Sequence, residues 1–303
     1  MILIRRAPAY ATIQDDGRRR YMASGVPRSG AMDLPALRTL NCLLGNDENA
    51  AAIEWALSGG EIEFRSRVTF AIGGAAASVT LNGSPIDSYR VTSGAAGDVL
   101  AIDGISAGRF LYVAFGGGAD VPIVMGSRST YLPGAFGGLQ GRRLRSGDTL
   151  SFLSPSQRRR HHVTGILPES LSPLERRAVI RFIPRDPGYT LDGEWTISPA
   201  SDRTGYRLGG RTLDGGASIT SEPVCAGVIQ LPPGGEPIVL MADAPTVGGY
   251  RILGAVITAD LGAFAQLAPG ERLSFEAVSV DIAQREIANE GARLDRVREW
   301  SLS

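Results

Sequence analysis

The sequence contains no lysine; all 31 of its basic residues are arginine. That absence excludes several mechanisms. No Schiff base can form on this chain, and no lysine can serve as a base. A Walker A loop needs its lysine against the β- and γ-phosphates, so there is no P-loop. Biotin is carried on a lysine amine, so no biotin is attached to this chain. Histidine is almost as scarce: the only two, His161 and His162, are adjacent within SQRRRHHV. Neighbouring residues do not face one point on regular structure, and no third ligand stands at metal spacing. The pair therefore reads as exposed, and no metal site is expected. Ser-His-Asp and Cys-His arrangements are disfavoured for the same reason. Any chemistry falls to carboxylates, arginines, hydroxyls and backbone amides.

Cysteine is limited to Cys42 and Cys225. A disulfide framework is not expected, and a reducing, cytoplasmic compartment is. The opening MILIRRAPAY has too short an apolar run for a signal peptide. No stretch approaches the ~18 consecutive apolar residues of a membrane helix. Formal net charge is zero and the pI is about 6.8, which gives no reason to expect nucleic acid or an acidic membrane as partner.

What is present points to β-structure. The chain has 303 residues, 43% of them hydrophobic, enough for two cores of ordinary size. Its 39 glycines and 18 prolines punctuate short alternating runs, the pattern of many strands joined by tight turns. GEIEFRSRVTFAIGG alternates apolar residues at Ile62 and Phe64, then Val68, Phe70 and Ile72. GRFLYVAFGGG, GVIQLPPGGEPIVLMA and YRILGAVITAD read similarly. Helices are few. DLPALRTLNCLLGN has Asp33 as N-cap, Pro35 in the first turn and Gly45 as terminator. NDENAAAIEWAL reads as a second short helix, and Asp281 to Trp300 as a C-terminal helix frayed at Gly291. AGDVLAI, SGDTLSF and PGERLSF echo one another, each an acidic turn feeding a strand. SPSQRRRHHVTGILPESLSP is the best linker, with a boundary near 155–172. The expected organisation is a β-rich, barrel-like domain over 1–160, a second over 173–280, and a helix or tail over 281–303.

Three clusters carry candidate chemistry. The first is Gln14, Asp15, Asp16, Gly17 and Arg18, continuing into SGVPRSGAMD. The second is GSRST at 126–130, a small-residue turn whose hydroxyls and amides suit an anion beside Arg128. The third is SDRTGYRLGG at 201–210 together with LMADAPTVGGY at 240–250. In the latter, an apolar strand ends at Asp243, and glycines allow close backbone approach.

Taken together, these segments resemble the KipA type, the family of allophanate hydrolase subunit 2 and of the C component of 5-oxoprolinase. The likeness is carried by Gln14-Asp15-x-Gly17-Arg18, Gly25-Val26-Pro27-x-Ser29-Gly30-Ala31-Met32-Asp33, Asn41 and Gly45-Asn46. It continues through Gly126-Ser127-Arg128-Ser129-Thr130 and Ser201-Asp202-Arg203-x-Gly205-Tyr206-Arg207-Leu208. It ends with Gly227-Val228-Ile229-Gln230, Pro237-Ile238-Val239-Leu240, Asp243, Thr246 and Gly248-Gly249-Tyr250. The family often has proline after the last motif, where this chain has Arg251.

The resemblance implies a mainly β fold of two cyclophilin-like β-barrel domains with a few short helices. It also implies kinship to the carboxyltransferase part of urea carboxylase. Its members usually pair with a KipI-like B component and a lactam-utilisation-type A component, forming an ATP-dependent 5-oxoprolinase. The cofactor so implied is ATP, with magnesium on the nucleotide. A carboxyltransferase component taking its carboxyl group from biotin on another protein is the alternative enzyme. A non-enzymatic regulator that binds a KipI-like kinase inhibitor is the alternative of another class. Opening a lactam at the expense of ATP needs cations around phosphate, which Arg18, Arg128 and Arg203 supply in this reading. It also needs a base for water, with Asp243 and Asp15 as candidates. Gln14, Ser127, Thr246, Gly248, Gly249 and Tyr250 complete the expected substrate or nucleotide site.

Overall fold

The computed structural model describes residues 1–154, 165–173, 177–186 and 190–302. His161, His162 and half of the expected linker, residues 155–164, lie outside the described residues. The chain forms two compact units. One comprises Met1–Gly17, Asp33–Leu174 and Gly291–Ser303, the other Arg18–Met32 and Glu175–Glu290.

The first unit is built on a curled sheet of nine strands among the described residues. Its spine is the long strand Val99–Phe115, flanked by Val68–Leu81 on one side and by Ala52–Ala56 and Ser58–Phe64 on the other. Ile2–Arg6 and Thr149–Leu150 extend the sheet past Ser58–Phe64, and Tyr10–Gln14 borders Ala52–Ala56. Register shifts against Val68–Leu81 bend the spine, and Gly104 and Gly108 within that bend have positive φ. Bulges of this kind increase local twist and curl a sheet. The core is the concave set Ile2, Ile4, Ile13, Trp55, Phe64, Phe70, Leu100 and Val113. Trp55 is fully buried and donates its indole N–H to Ser58 O at 2.9 Å. A Cβ at Gly60 would stand 2.5 Å from that ring, so the turn after Trp55 closes only with glycine there.

The helix Leu34–Leu44 forms as the sequence indicates. Asp33 Oδ1 accepts from Ala36 N–H at 3.1 Å, Pro35 stands in the first turn, and Gly45 ends the helix at φ 65°. Its buried face, including Leu37 and Leu40, meets Val68–Leu81 and Val99–Phe115. The second expected helix is not formed: within NDENAAAIEWAL, residues Ala52–Ala56 are a strand buried at every position. Alanine and glutamate favour a helix locally, but a segment hydrogen-bonded on both edges gains more as a central strand.

The second unit closes. Its strands run Val179–Pro184, Arg272–Ala277, Trp195–Ile197, Gly205–Gly209, Ile238–Leu240, Val228–Leu231 and Val247–Val256. The last pairs back to the first, giving a closed seven-strand barrel. Ser218–Pro223 continues as a ribbon along the start of Val247–Val256. Ile180, Phe182, Trp195, Tyr206, Leu208 and Ile229 fill the interior. The mainly β architecture thus stands, with full closure in the second unit and an open half-barrel in the first. The C-terminal helix Val280–Leu302 runs through Gly291 without a break. No helix among the described residues is long and apolar enough to cross a membrane.

Candidate functional site

In the first unit the strand Tyr10–Gln14 delivers Asp15 to the turn at 124–130. Val124 and Ser127 exchange backbone hydrogen bonds around Met125 (φ 52°) and Gly126 (φ 76°). Two successive left-handed residues are what a type I′ turn requires. Nothing stands within 4 Å of a Cβ at Gly126, so glycine is needed there for conformation, not for space.

The turn is tied to Asp15 by a closed ring of hydrogen bonds. Asp15 Oδ1 accepts from Gly17 N–H at 2.8 Å, from Ser127 Oγ at 2.6 Å and from Ser129 Oγ. Asp15 Oδ2 accepts from Arg128 N–H at 2.6 Å. Ser129 Oγ accepts in turn from Asp15 N–H, and Ser127 Oγ from Ser129 N–H, both at 2.9 Å. Asp15 is 6% exposed. A buried carboxylate is costly without hydrogen-bond donors, and four stand on this one, three on Oδ1 and one on Oδ2. Gln14 lies beside the ring. Its amide donates to Thr12 Oγ1 and Thr130 O, while its buried Oε1 has no partner among the described residues. Arg128 keeps its backbone in the ring. Its Nε is buried without a hydrogen-bond partner among the described residues.

Asp15, Ser127 and Arg128 line a cavity of about 230 Å³. The opposite wall is the loop 46–51, held by two asparagines. Asn41 donates to Glu48 O and Ala50 O. Asn46 donates to Asn41 Oδ1 and Phe115 O, and its Oδ1 accepts from Gly117 N–H at 2.7 Å. Ala50, Ala51 and Ala119 supply the apolar surface, and Ile123 and Leu153 stand exposed at the rim. Sequence reasoning misses Asn46 as a site residue. Its place in the Gly45-Asn46 motif, directly after a helix terminator, is the signal that could have found it.

Near the same helix start, Tyr112 is fully buried, donates to Glu54 Oε2 at 2.8 Å and accepts from Asp33 N–H at 2.8 Å. Burial, reinforced by the Glu54 and Asp33 charges, pushes its phenol well above the ordinary tyrosine range, so it stays a donor.

In the second unit Arg203 and Asp243 form a buried, bidentate pair. Arg203 Nε and Nη2 reach Asp243 Oδ2 and Oδ1 at 2.8 and 3.0 Å, and Nη2 also donates to Gly30 O at 2.7 Å. Backbone bonds from Asp243 N–H to Arg203 O and from Met241 N–H to Thr204 O hold the two strand ends together. The acceptor Gly30 follows Ser29, which is buried at φ 54°. Arg18 is fully buried and belongs to this unit, its N–H donating to Arg28 O at 2.7 Å. Both carboxylate oxygens of Asp243 are committed to the guanidinium, so a base role there would require the pair to open.

The remaining site candidates run from Thr246 into the strand Val247–Val256. Thr246 is buried, and its carbonyl accepts from Val224 N–H. Gly248 pairs with Glu222, and a Cβ there would strike Gln230 Nε2. Gly249 follows, and Tyr250 pairs with Ser218 and is 39% exposed. Tyr250 thus belongs to the ribbon, whereas Asp243 belongs to the ion pair. Cys225 stands nearby in sequence. Burial raises its thiol, with the Arg28 charge pulling the other way.

Comparison with known proteins gives a consistent kinship. The family described as carboxyltransferase domain, subdomain A and B, matches residues 24–277. The Haemophilus influenzae protein named as the C component of 5-oxoprolinase is 37% identical over 309 residues, covering 98% of this chain and 98% of that protein. The Escherichia coli protein of the same name is 37% identical over 296 residues, covering 93% of each. The crystal structure of Kluyveromyces lactis urea carboxylase superposes with a TM-score of 0.90 at 28% identity. It covers all of this chain and 29% of that one.

Proposed function

This chain belongs to the carboxyltransferase subdomain A and B family, and from that premise we propose that it is the C component of an ATP-dependent 5-oxoprolinase. The observation that carries the reading is the end-to-end match with proteins of that name, each covered over nearly its whole length. In this reading the chain works in the cytoplasm with a KipI-like B component and a lactam-utilisation-type A component. The complex opens 5-oxoproline to L-glutamate with hydrolysis of ATP.

The chemistry asked of this chain is binding and orientation. An unstrained amide resists water, so ATP is the energy source that activates it. The Asp15 ring fixes the backbone of Arg128 beside the cavity, which places its guanidinium where it can bind an anionic group. The cavity volume lies below the about 300–1,000 Å³ of clefts that enclose drug-sized ligands. Among the described residues it has one lining cation, and a nucleotide triphosphate does not fit it. No step through ATP is therefore assigned to this cavity. Mixing the purified chain with its B and A partners should give ATP hydrolysis that depends on 5-oxoproline. A folded, fully assembled complex without that turnover removes the reading.

A second reading follows from the superposition on urea carboxylase: a carboxyltransferase component that receives its carboxyl group from biotin. Biotin would have to arrive on another protein, since this chain has no lysine. Transfer of label from a carboxylated biotinyl protein to a small amide, with no lactam-dependent ATP hydrolysis, favours that reading over the first.

A further inference from the structure

The geometry points to the first-unit cavity as the binding site for a small cyclic amide bearing one carboxylate. Arg128 takes the carboxylate, and Asp15 Oδ2 takes the ring N–H. This deepens the oxoprolinase reading and rests on it for the choice of ligand. It changes the role expected for Arg128, from a cation around phosphate to a carboxylate anchor.

Three observations converge on it. Size comes first: about 230 Å³ suits one five-membered ring with its substituent and is too small for a nucleotide. Charge comes next. Among the described residues Arg128 is the only cation lining the cavity. A guanidinium at a cavity wall offers its donors to a ligand carboxylate in the paired geometry that arginine prefers. Acceptors come third. Asp15 Oδ1 holds three donors, but Oδ2 holds Arg128 N–H alone among the described residues. A carboxylate oxygen has room for a second donor, and a lactam N–H is one. Asp47 also lines the cavity and disfavours ligands with more than one negative charge. Ala50, Ala51 and Ala119 give the ring methylenes an apolar wall.

The test compares 5-oxo-L-proline with 2-pyrrolidinone, the same ring without its carboxylate. Binding to the chain is measured by calorimetry, and KM is measured in the assembled complex. Arg128→Gln should weaken 5-oxo-L-proline about 10- to 100-fold in both Kd and KM, the loss expected for a charge-assisted hydrogen bond. It should leave the weaker 2-pyrrolidinone affinity within about twofold. Ala50→Leu fills the cavity without altering charge and should weaken both ligands. It also serves as the decisive variant if Arg128→Gln lowers the melting temperature. An active complex whose KM is unchanged by both variants overturns the site and leaves the oxoprolinase reading standing. A complex with no lactam-dependent turnover removes that reading. The site then survives only if the chain binds 5-oxo-L-proline in an Arg128-dependent way, and is overturned if it does not.

Discussion

Replacing Asp15 by asparagine separates a structural carboxylate from a catalytic one. Asp15 accepts four hydrogen bonds, three on Oδ1 and one on Oδ2, at 6% exposure. An amide offers an acceptor oxygen at only one of those two positions. With the oxygen in place of Oδ1, Gly17 N–H and both serine hydroxyls keep their acceptor. The amide NH2 then faces Arg128 N–H, donor against donor, across the 2.6 Å that now holds a hydrogen bond. One charge-assisted bond is lost, about 1.5–3 kcal/mol, and the other three lose their ionic character. The expected cost is about 2–4 kcal/mol, or roughly 5–15 °C in Tm for a unit of this size.

Thermal and urea unfolding, followed by the transition of the unit that holds Asp15, measure this directly. Asp15→Ala should be worse, since four donors lose their acceptor together. A general base behaves in the opposite way: asparagine in its place keeps the fold and lowers turnover by roughly 10²–10⁴. If Asp15→Asn melts within about 1 °C of the wild type while the assembled complex loses turnover, the scaffold argument is wrong and Asp15 is the base.

Other perturbations test the rest of the framework. Arg203→Met strands the Asp243 carboxylate in a pair whose side chains are 7% and 4% exposed, and should cost about 3–5 kcal/mol by urea unfolding. A loss below about 1 kcal/mol would show that the pair contributes little. Tyr112→Phe removes the hydroxyl between Glu54 and Asp33 N–H. It should cost about 1–3 kcal/mol, and an unchanged urea midpoint would contradict the assigned bonds. The Arg142 hydrogen bonds hold the Asp148 carboxyl below its usual range. Its contribution is therefore present above the unfolded carboxyl value of about 4 and fades as pH falls through the folded value. The stability gap between wild type and Asp148→Asn should accordingly be flat at neutral pH and close in acid. A gap that widens in acid would reverse the assignment.

Local signals that depend on neighbours in sequence were legible. Asp33, Pro35 and Gly45 marked one helix to the residue, because caps act within a single turn. The echo of glycine, acid and leucine marked true strand starts at Val99, Thr149 and Arg272. The error at Ala52–Ala56 arose because that strand is decided by its partners on both edges, about which an alanine-rich segment carries no local information. The closure of one sheet and not the other was equally invisible, since it depends on whether Val179–Pro184 meets Val247–Val256. The candidate residues could be read as motifs. Their hydrogen-bond partners, more than a hundred positions away in the case of Asp15 and Ser127, could not.

Those partners change what the carboxylates can do. Sequence reasoning nominates Asp243, at a strand end beside glycines, and Asp15, in the charged cluster that opens the chain, as candidate bases. The same placements let each one tie separate segments together. Asp15 fastens a turn to a strand, and Asp243 fastens an arginine that also grips the 29–30 turn. Asp243 has both oxygens committed to one guanidinium, and Asp15 accepts from four donors, so each is already engaged as a tie between segments. Water activation in an assembled enzyme is then better served by a group outside these two knots, on a partner protein or on the activated substrate itself. This gives double duty to the Arg128 comparison: a change in KM with kcat preserved is the signature of a chain that binds and orients, whereas a loss confined to kcat would return the chemistry to this chain.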